Sequence, residues 1–189
     1  MRYVLLFMAC LFTVACGNQQ PQLEDSLNWP VQEFTAVNEQ GEEIGLEQLQ
    51  GKLWIADFIF TNCATVCLPM TAQKTVLQQE LKDQGLDVTL ISFSVDPKRD
   101  TPEVLQEYAE QFDADLSNWH FLTGYTEDEI KRISEKDFKS SLIFETGTDQ
   151  VTHGTYFFLV DQSGVIVQKY SGMHDSSAEI IADVKQLTR

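Results

Sequence analysis

The sequence predicts an α/β fold built around a central sheet, and its length of 189 residues suggests one domain. Two apolar runs, residues 53–60 and 88–95, flank the amphipathic segment 69–81, which is the pattern of a right-handed βαβ unit. Two later runs, 156–160 and 165–170, are separated by a short turn and predict an antiparallel hairpin.

The remaining segments complete this order. Thr101 followed by Pro102 predicts the start of a helix, with Thr101 as N-cap and Pro102 in the first turn. The other predicted elements are an N-terminal β-hairpin at 34–37 and 44–46, a short strand at 120–122, a helix at 127–136 and a last helix from Ser176 or Ser177 to 187. Hairpin, βαβ, helix and ββα in this order are typical of a thioredoxin-like α/β sandwich.

Composition excludes some classes of function. Hydrophobic residues make up 43% and charged residues 22%, as in an ordinary globular protein. The 29 acidic residues outnumber the 13 basic ones and give a formal net charge of −16. A nucleic-acid-binding protein needs a basic surface to neutralise phosphates, so we expect no nucleic-acid partner. The same charge argues against electrostatic binding to anionic lipid.

The N-terminus predicts another route to a membrane. The thirteen largely apolar residues 3–15 would form a helix of about 20 Å, too short to cross a bilayer but suited to a signal peptide at residues 1–15. Small residues on both sides of Cys16 resemble a bacterial lipobox, which predicts lipidation of Cys16. Lipidation at Cys10, plain secretion and an uncleaved anchor are the alternatives.

This interpretation divides the chain into three parts. Residues 1–15 form the signal peptide, the polar residues 16–28 form a lipid-anchored flexible tether, and residues 29–189 form the functional domain. The domain would lie on the outer, extracytoplasmic face of the cell membrane.

Apart from Cys10 and the predicted lipidation site Cys16, the chain has two cysteines, Cys63 and Cys67, and they lie where the first buried strand leads into the next helix. If the helix begins at Cys63, both sulfur atoms share one helix face near its N-terminus, which favours the thiolate. Two such thiols suit a reversible disulfide or a soft metal ion. The alternative is a pair of buried, unreactive cysteines.

A metal ion would need a third ligand, and His153 is the best candidate among the three histidines. It opens the strand 156–160, at the position where thioredoxins place a cis-proline, and no proline follows Pro102. His120 is expected to be packed, His174 could be an auxiliary ligand, and Met70 is expected in the core rather than as a thioether ligand.

Two thiolates and one imidazole form a soft and incomplete ligand set. A structural zinc site usually has four protein ligands, whereas Cu(I) accepts fewer soft ligands. The spacing of the ligands does not by itself select copper.

The sequence resembles the Sco (SenC) family of copper-binding assembly factors for cytochrome c oxidase. The resemblance is carried by Asp-Phe-Ile-Phe-Thr-Asn-Cys at 57–63, the Cys-x3-Cys spacing with Pro69, Ser-Val-Asp-Pro-Lys-Arg-Asp-Thr-Pro at 94–102, and His153 ahead of 156–161. It implies a thioredoxin-like fold and copper ligands at Cys63, Cys67 and His153. It also implies that copper is delivered to the CuA centre of cytochrome c oxidase subunit II. Family members often carry proline after each cysteine, where this chain has Ala64 and Leu68.

Two functions therefore remain open. In the first, the domain is a metallochaperone, and a disulfide between Cys63 and Cys67 is its off-state. In the second, Cys63 and Cys67 act as a thiol–disulfide oxidoreductase or redox sensor. Asp57 lies six residues before Cys63 within an apolar strand and could accept or return a thiol proton. A hydrogen-bonded structural role for Asp57 is equally open.

Overall fold

The computed structural model describes residues 23–189. The predicted signal peptide, Cys16 and the tether as far as residue 22 lie outside the described residues. Leu23 is buried, and the Leu27 amide donates a hydrogen bond to the Val167 carbonyl. Contacts with the domain therefore begin before residue 29. No helix among the described residues is long and apolar enough to cross a membrane.

The secondary structure alternates short strands and helices along the chain. The strands are β1 (Trp29–Pro30), β2 (Thr35–Val37), β3 (Glu43–Gly45), β4 (Trp54–Ile59), β5 (Thr89–Ser94), β6 (Trp119–Leu122), β7 (Leu142–Phe144), β8 (Val151–His153), β9 (Tyr156–Val160) and β10 (Val165–Ser171). The helices are α1 (Leu46–Leu49), α2 (Cys67–Asp83), α3 (Pro102–Gln111), α4 (Glu127–Arg132) and α5 (Ser177–Leu187), and a π-helical turn (Ile133–Asp137) follows α4.

The main sheet has six strands in the order β1-β10-β9-β4-β5-β6. Strands β4, β5 and β6 are parallel, whereas β9 is antiparallel to β4 and β10 is antiparallel to β9. Two separate hairpins, β2–β3 and β7–β8, complete the fold. The predicted α/β fold is confirmed, with its N-terminal hairpin, βαβ unit and C-terminal ββα segment.

This topology brings distant parts of the chain to one edge of the sheet. The parallel strands β4 and β5 end at that edge, and β9 starts there because it runs antiparallel to β4, with Ala56 opposite Phe158. The residues after β4 therefore lie beside the residues before β9. The two segments that carry the cysteines and His153 meet by this route.

The core is rich in aromatic side chains. Trp54, Phe58, Phe93, Phe138 and Phe158 are at most 1% exposed, and their rings form a chain of edge and stacked contacts. All six residues of β4 are buried, as the continuous apolar run predicts for a central strand. The strand that leads to the cysteines is therefore fixed by packing on both faces.

Some local features differ from the sequence predictions. The helix expected at 127–136 ends at Arg132, and the π-helical turn takes its place. The buried carboxylate of Asp137 accepts hydrogen bonds from Arg132 and from the Gln32 amide, contacts that helical periodicity does not encode. The β7–β8 hairpin was not predicted, because its strands have only three residues each.

Candidate metal centre

Helix α2 begins at Cys67 and not at Cys63, so the assumption that both cysteines lie in the helix was wrong. Pro69 explains the difference. In a helix from Cys63, proline would stand inside the helix and leave a carbonyl without its donor, whereas in α2 it lies in the first turn, where no intrahelical donor is needed. Cys63 instead lies in the preceding turn, where its amide donates to the Phe60 carbonyl at 3.3 Å.

The two cysteines still converge. The Cys67 amide at the start of α2 donates a hydrogen bond to the Cys63 sulfur at 3.4 Å. Cys67 is fully buried and Cys63 is 8% exposed. Neither cysteine is in a disulfide bond. The helix N-terminus therefore stabilises negative charge on Cys63 rather than on both sulfur atoms equally.

His153 is the last residue of β8 and pairs with Leu142 of β7, so it belongs to the β7–β8 hairpin and not to the strand 156–160. Its Nε2 lies 3.3 Å from the Cys67 sulfur. Its Nδ1 lies 3.0 Å from the Gly154 carbonyl oxygen, which can only accept a hydrogen bond. The proton is therefore assigned to Nδ1, and the Nε2 lone pair faces the sulfur.

The sulfur atoms of Cys63 and Cys67 and a ring nitrogen of His153 lie within 4.8 Å of one another. In residues 23–189 this is the only cluster of three or more such side chains close enough to share an ion. Metal–ligand bonds of about 2.0–2.3 Å need donor atoms at nearly this separation. In metal sites, the histidine nitrogen that does not bind the metal usually forms a hydrogen bond that orients the ring. The bond from His153 Nδ1 to the Gly154 carbonyl is of this kind.

The pKa values of the two cysteines are shifted in opposite directions. A hydrogen bond from Cys67, with smaller contributions from the backbone amides of Thr65 and Cys67, lowers the pKa of Cys63 to about 3 against the opposing effect of burial. The hydrogen bond to the Cys63 thiolate and burial both raise the pKa of Cys67. At neutral pH, Cys63 is a thiolate and Cys67 is its thiol partner.

Asp57 forms a buried ion pair beside this centre. Its Oδ1 accepts hydrogen bonds from Lys74 Nζ at 2.7 Å and from the Ser92 hydroxyl at 2.7 Å, and both charged side chains are fully buried. The negative charge of Asp57 contributes to the raised pKa of Cys67. A role of Asp57 as thiol proton acceptor stays a prediction, since its hydrogen bonds go to Lys74 and Ser92.

The other candidate ligands lie outside the cluster. His120 is on β6, where its Nδ1 lies 3.5 Å from Glu39. His174 follows β10 in the turn before α5. Met70 is fully buried and packs against Gly172. The packing is close, because a Cβ atom added to Gly172 would lie only 2.9 Å from the Met70 methyl group. The prediction of a core role for Met70 agrees with this packing.

Sequence reasoning did not predict several hydrogen bonds that hold the cysteine turn. The buried Asp100 carboxylate accepts hydrogen bonds from the amide and hydroxyl of Thr61 and from Ser94. Asp149 and Gln150, between β7 and β8, bond to Asn62 and Ala64. The residues that bond to Thr61, Asn62 and Ala64 lie between 39 and 88 positions away in the sequence, so no local pattern identifies them.

Comparison with known proteins agrees with this centre. The family model described as SCO1/SenC matches residues 25–189. A Bacillus subtilis protein named SCO1 protein homolog is 46% identical over 176 residues, covering 93% of this chain and 90% of the relative. A Bacillus anthracis protein described as a SCO1/SenC family lipoprotein has a solved structure with a TM-score of 0.86 and 44% identity, covering 88% of this chain and 99% of that one.

Two further solved structures bear on the cysteines. BsSco, a member of the Sco family of cytochrome c oxidase assembly proteins with an identified disulfide switch, has a TM-score of 0.82 and 44% identity over 88% of this chain and 98% of its own. Copper-bound yeast Sco1 has a TM-score of 0.68 and 28% identity over 85% of this chain and 89% of its own. The family model covers most of the chain and the sequence identity is high, so the chain belongs to the SCO1/SenC family.

Proposed function

We propose that this protein is a copper metallochaperone that holds one copper ion through Cys63, Cys67 and His153. The observation that carries the proposal is the convergence of two sulfur atoms and one imidazole nitrogen within 4.8 Å. Thiolate and imidazole are soft to intermediate donors, and Cu(I) accepts a set of this size. The copper-bound form of yeast Sco1 supports the choice of copper over other soft metals.

The centre is prepared to take up the ion. Cys63 is already a thiolate, and the Nε2 lone pair of His153 is free because the ring proton lies on Nδ1. Cys67 gives up its proton when the ion binds, since thiolate is the form that binds metals. Three protein ligands leave a coordination position for a ligand of an acceptor, so the ion can be passed on by ligand exchange.

We infer that the acceptor is the CuA centre of cytochrome c oxidase subunit II. The description of BsSco as a cytochrome c oxidase assembly protein supports this acceptor. A disulfide between Cys63 and Cys67 would remove two ligands together, so the oxidised protein is the off-state.

Copper titration of the reduced protein tests the ligand set. We expect the wild-type protein to bind one copper ion tightly, with a thiolate-to-copper charge-transfer band when Cu(II) is used. We expect His153→Ala to weaken binding by at least about tenfold and to shift the band, because a directly coordinating side chain is lost.

His174→Ala is the matched control, because His174 lies outside the ligand cluster. It should bind copper with wild-type affinity and spectrum. Equal affinity and identical spectra for His153→Ala and the wild type would remove His153 from the ligand set, and failure of the wild type to bind copper would overturn the proposed function.

A second candidate function is thiol–disulfide exchange, and the unequal protonation of the two cysteines favours it. The Cys63 thiolate would attack a disulfide of the target protein and release one target sulfur as a thiolate. The Cys67 thiol, after losing its proton, would then attack the mixed disulfide and free the second target sulfur. The disulfide switch identified in BsSco supports this chemistry. Thiol–disulfide exchange requires no bond between His153 and a metal ion. The copper titration of the wild type and His153→Ala therefore distinguishes the two functions.

We propose further that Cys16 carries a lipid that anchors the protein to the outer face of the cell membrane. The lipoprotein description of the Bacillus anthracis relative supports this anchor. Mass spectrometry of the membrane-extracted protein should give a mature chain that starts at Cys16 and carries a lipid mass. Replacement of Cys16 by alanine should abolish that modification, and an intact N-terminus upstream of Cys16 in the wild type would contradict the anchor.

A further inference from the structure

The β7–β8 hairpin contacts the cysteine turn with its tip as well as with His153. Asp149 Oδ2 accepts a hydrogen bond from the Asn62 side-chain amide at 2.8 Å. The Gln150 side-chain amide donates to the Asn62 carbonyl at 3.1 Å, and its oxygen lies 3.5 Å from the Ala64 amide, which donates to it. We call the side chains of Asn62, Asp149 and Gln150 the clasp.

The clasp holds the chain on both sides of Cys63, because Asn62 and Ala64 are its immediate neighbours. Gln150 is also only three residues before His153 and lies next to β8. The same hairpin thus touches the cysteine turn at its tip and faces Cys67 at its last residue. The clasp is therefore one of the contacts that hold the hairpin, and with it the imidazole, against the cysteine turn.

The clasp differs from the other contacts of the centre in its accessibility. Cys67 and Asp100 are fully buried, whereas Asn62 and Asp149 are exposed and Gln150 is half-buried. Hydrogen bonds from Gln150 and from Asn62 lower the pKa of Asp149, and the charge of Arg99 makes a smaller contribution. A docking protein can therefore reach all three side chains of the clasp.

We propose that the clasp is the latch of the copper site: while it is closed it keeps His153 on the ion, and its opening sets the rate at which the ion is released. The proposal rests on the proposed function, because it assigns Asn62, Asp149 and Gln150 as positioning residues for that same site. None of them is a ligand. Their effect is on how long His153 stays within bonding distance.

The test compares the rate of Cu(I) release from loaded protein to an excess of a colorimetric Cu(I) chelator. We expect Gln150→Ala to release copper about tenfold faster than the wild type, since it loses both hydrogen bonds to the cysteine turn. Asp149→Ala should also be faster, whereas Asp149→Asn should stay near the wild-type rate because its amide oxygen can still accept from Asn62.

Thr152→Val is the matched control in the same hairpin. Thr152 bonds across the hairpin to Glu145 at 2.8 Å and makes no bond to the cysteine turn, so its removal disturbs the hairpin without opening the clasp. We expect a wild-type release rate. Equal acceleration in Thr152→Val and Gln150→Ala would mean that general hairpin stability controls release, and an unchanged rate in Gln150→Ala would exclude the latch.

Alkylation of Cys63 in the metal-free protein gives a second readout that does not need copper. Since Cys63 is only 8% exposed, opening the clasp should expose its sulfur and raise the alkylation rate in Gln150→Ala but not in Thr152→Val. If the wild type binds no copper, the proposed function fails, and the alkylation rates alone decide on the clasp. Equal alkylation rates in Gln150→Ala and the wild type would then overturn it.

Discussion

Replacing Asp57 by alanine should destabilise the folded protein by about 3–5 kcal/mol, the cost of leaving one charge of a buried pair without its partner. Lys74 is fully buried, and its ammonium group bonds to Asp57, to the Ile91 carbonyl and to Ser92. Burial lowers the pKa of Lys74, and Asp57 opposes that effect. Without Asp57, Lys74 must either lose its proton or remain charged, and a charged Lys74 can reach water only if the structure around it unfolds. Urea unfolding at neutral pH measures the difference in free energy.

A double variant separates the charge effect from loss of packing. Lys74→Met in the Asp57→Ala background removes the buried ammonium group that has lost its partner. We therefore expect the double variant to recover most of the lost stability. The exposed pair of Lys98 and Glu127, at 2.7 Å, provides a surface comparison, and Glu127→Ala should cost no more than about 1 kcal/mol. A loss in Asp57→Ala no larger than in Glu127→Ala would contradict the role given to the buried pair.

The parts of the fold that sequence predicts well are those with a strong local signal. The continuous apolar run of β4 and the Thr101–Pro102 helix start need no distant partner, and both agree with the structure, where Thr101 accepts a hydrogen bond from the Val104 amide. Hairpin β7–β8 has no such signal, because its register is set by pairing between Leu142 and His153 and by bonds from its tip to the cysteine turn. Its position depends on tertiary contacts alone.

The candidate site shows the same division. The close spacing of Cys63 and Cys67 and the placement of His153 near the start of β9 were sufficient to predict which three side chains meet. The segment 69–81 was correctly predicted as helical, whereas a helix start at Cys63 was wrong, because Pro69 would then lie inside the helix. That error matters chemically, since it is the placement of Cys63 before the helix that makes the two thiols unequal.

The unequal protonation of the two cysteines can be measured by alkylation of the reduced, metal-free protein. We expect the alkylation rate of Cys63 to be constant between about pH 5 and pH 8. An ordinary thiol with a pKa near 8.5 gains thiolate several hundred-fold over this range, so its alkylation rate rises in proportion. Cys63, with its pKa lowered to about 3, is ionised throughout. A thiolate of low pKa is intrinsically less nucleophilic, so the slope with pH, and not the absolute rate, identifies it.

Cys67 provides the internal control for that measurement. Its raised pKa and full burial should leave it unmodified when the alkylated protein is mapped by mass spectrometry. In Cys67→Ala, Cys63 loses the hydrogen bond that lowers its pKa most, so its alkylation should begin to depend on pH at higher values than in the wild type. A circular dichroism spectrum like that of the wild type would show that the variant is folded. If alkylation of wild-type Cys63 instead climbs about tenfold per pH unit up to pH 8, the sulfur is an ordinary thiol and the charge assigned to the centre is wrong.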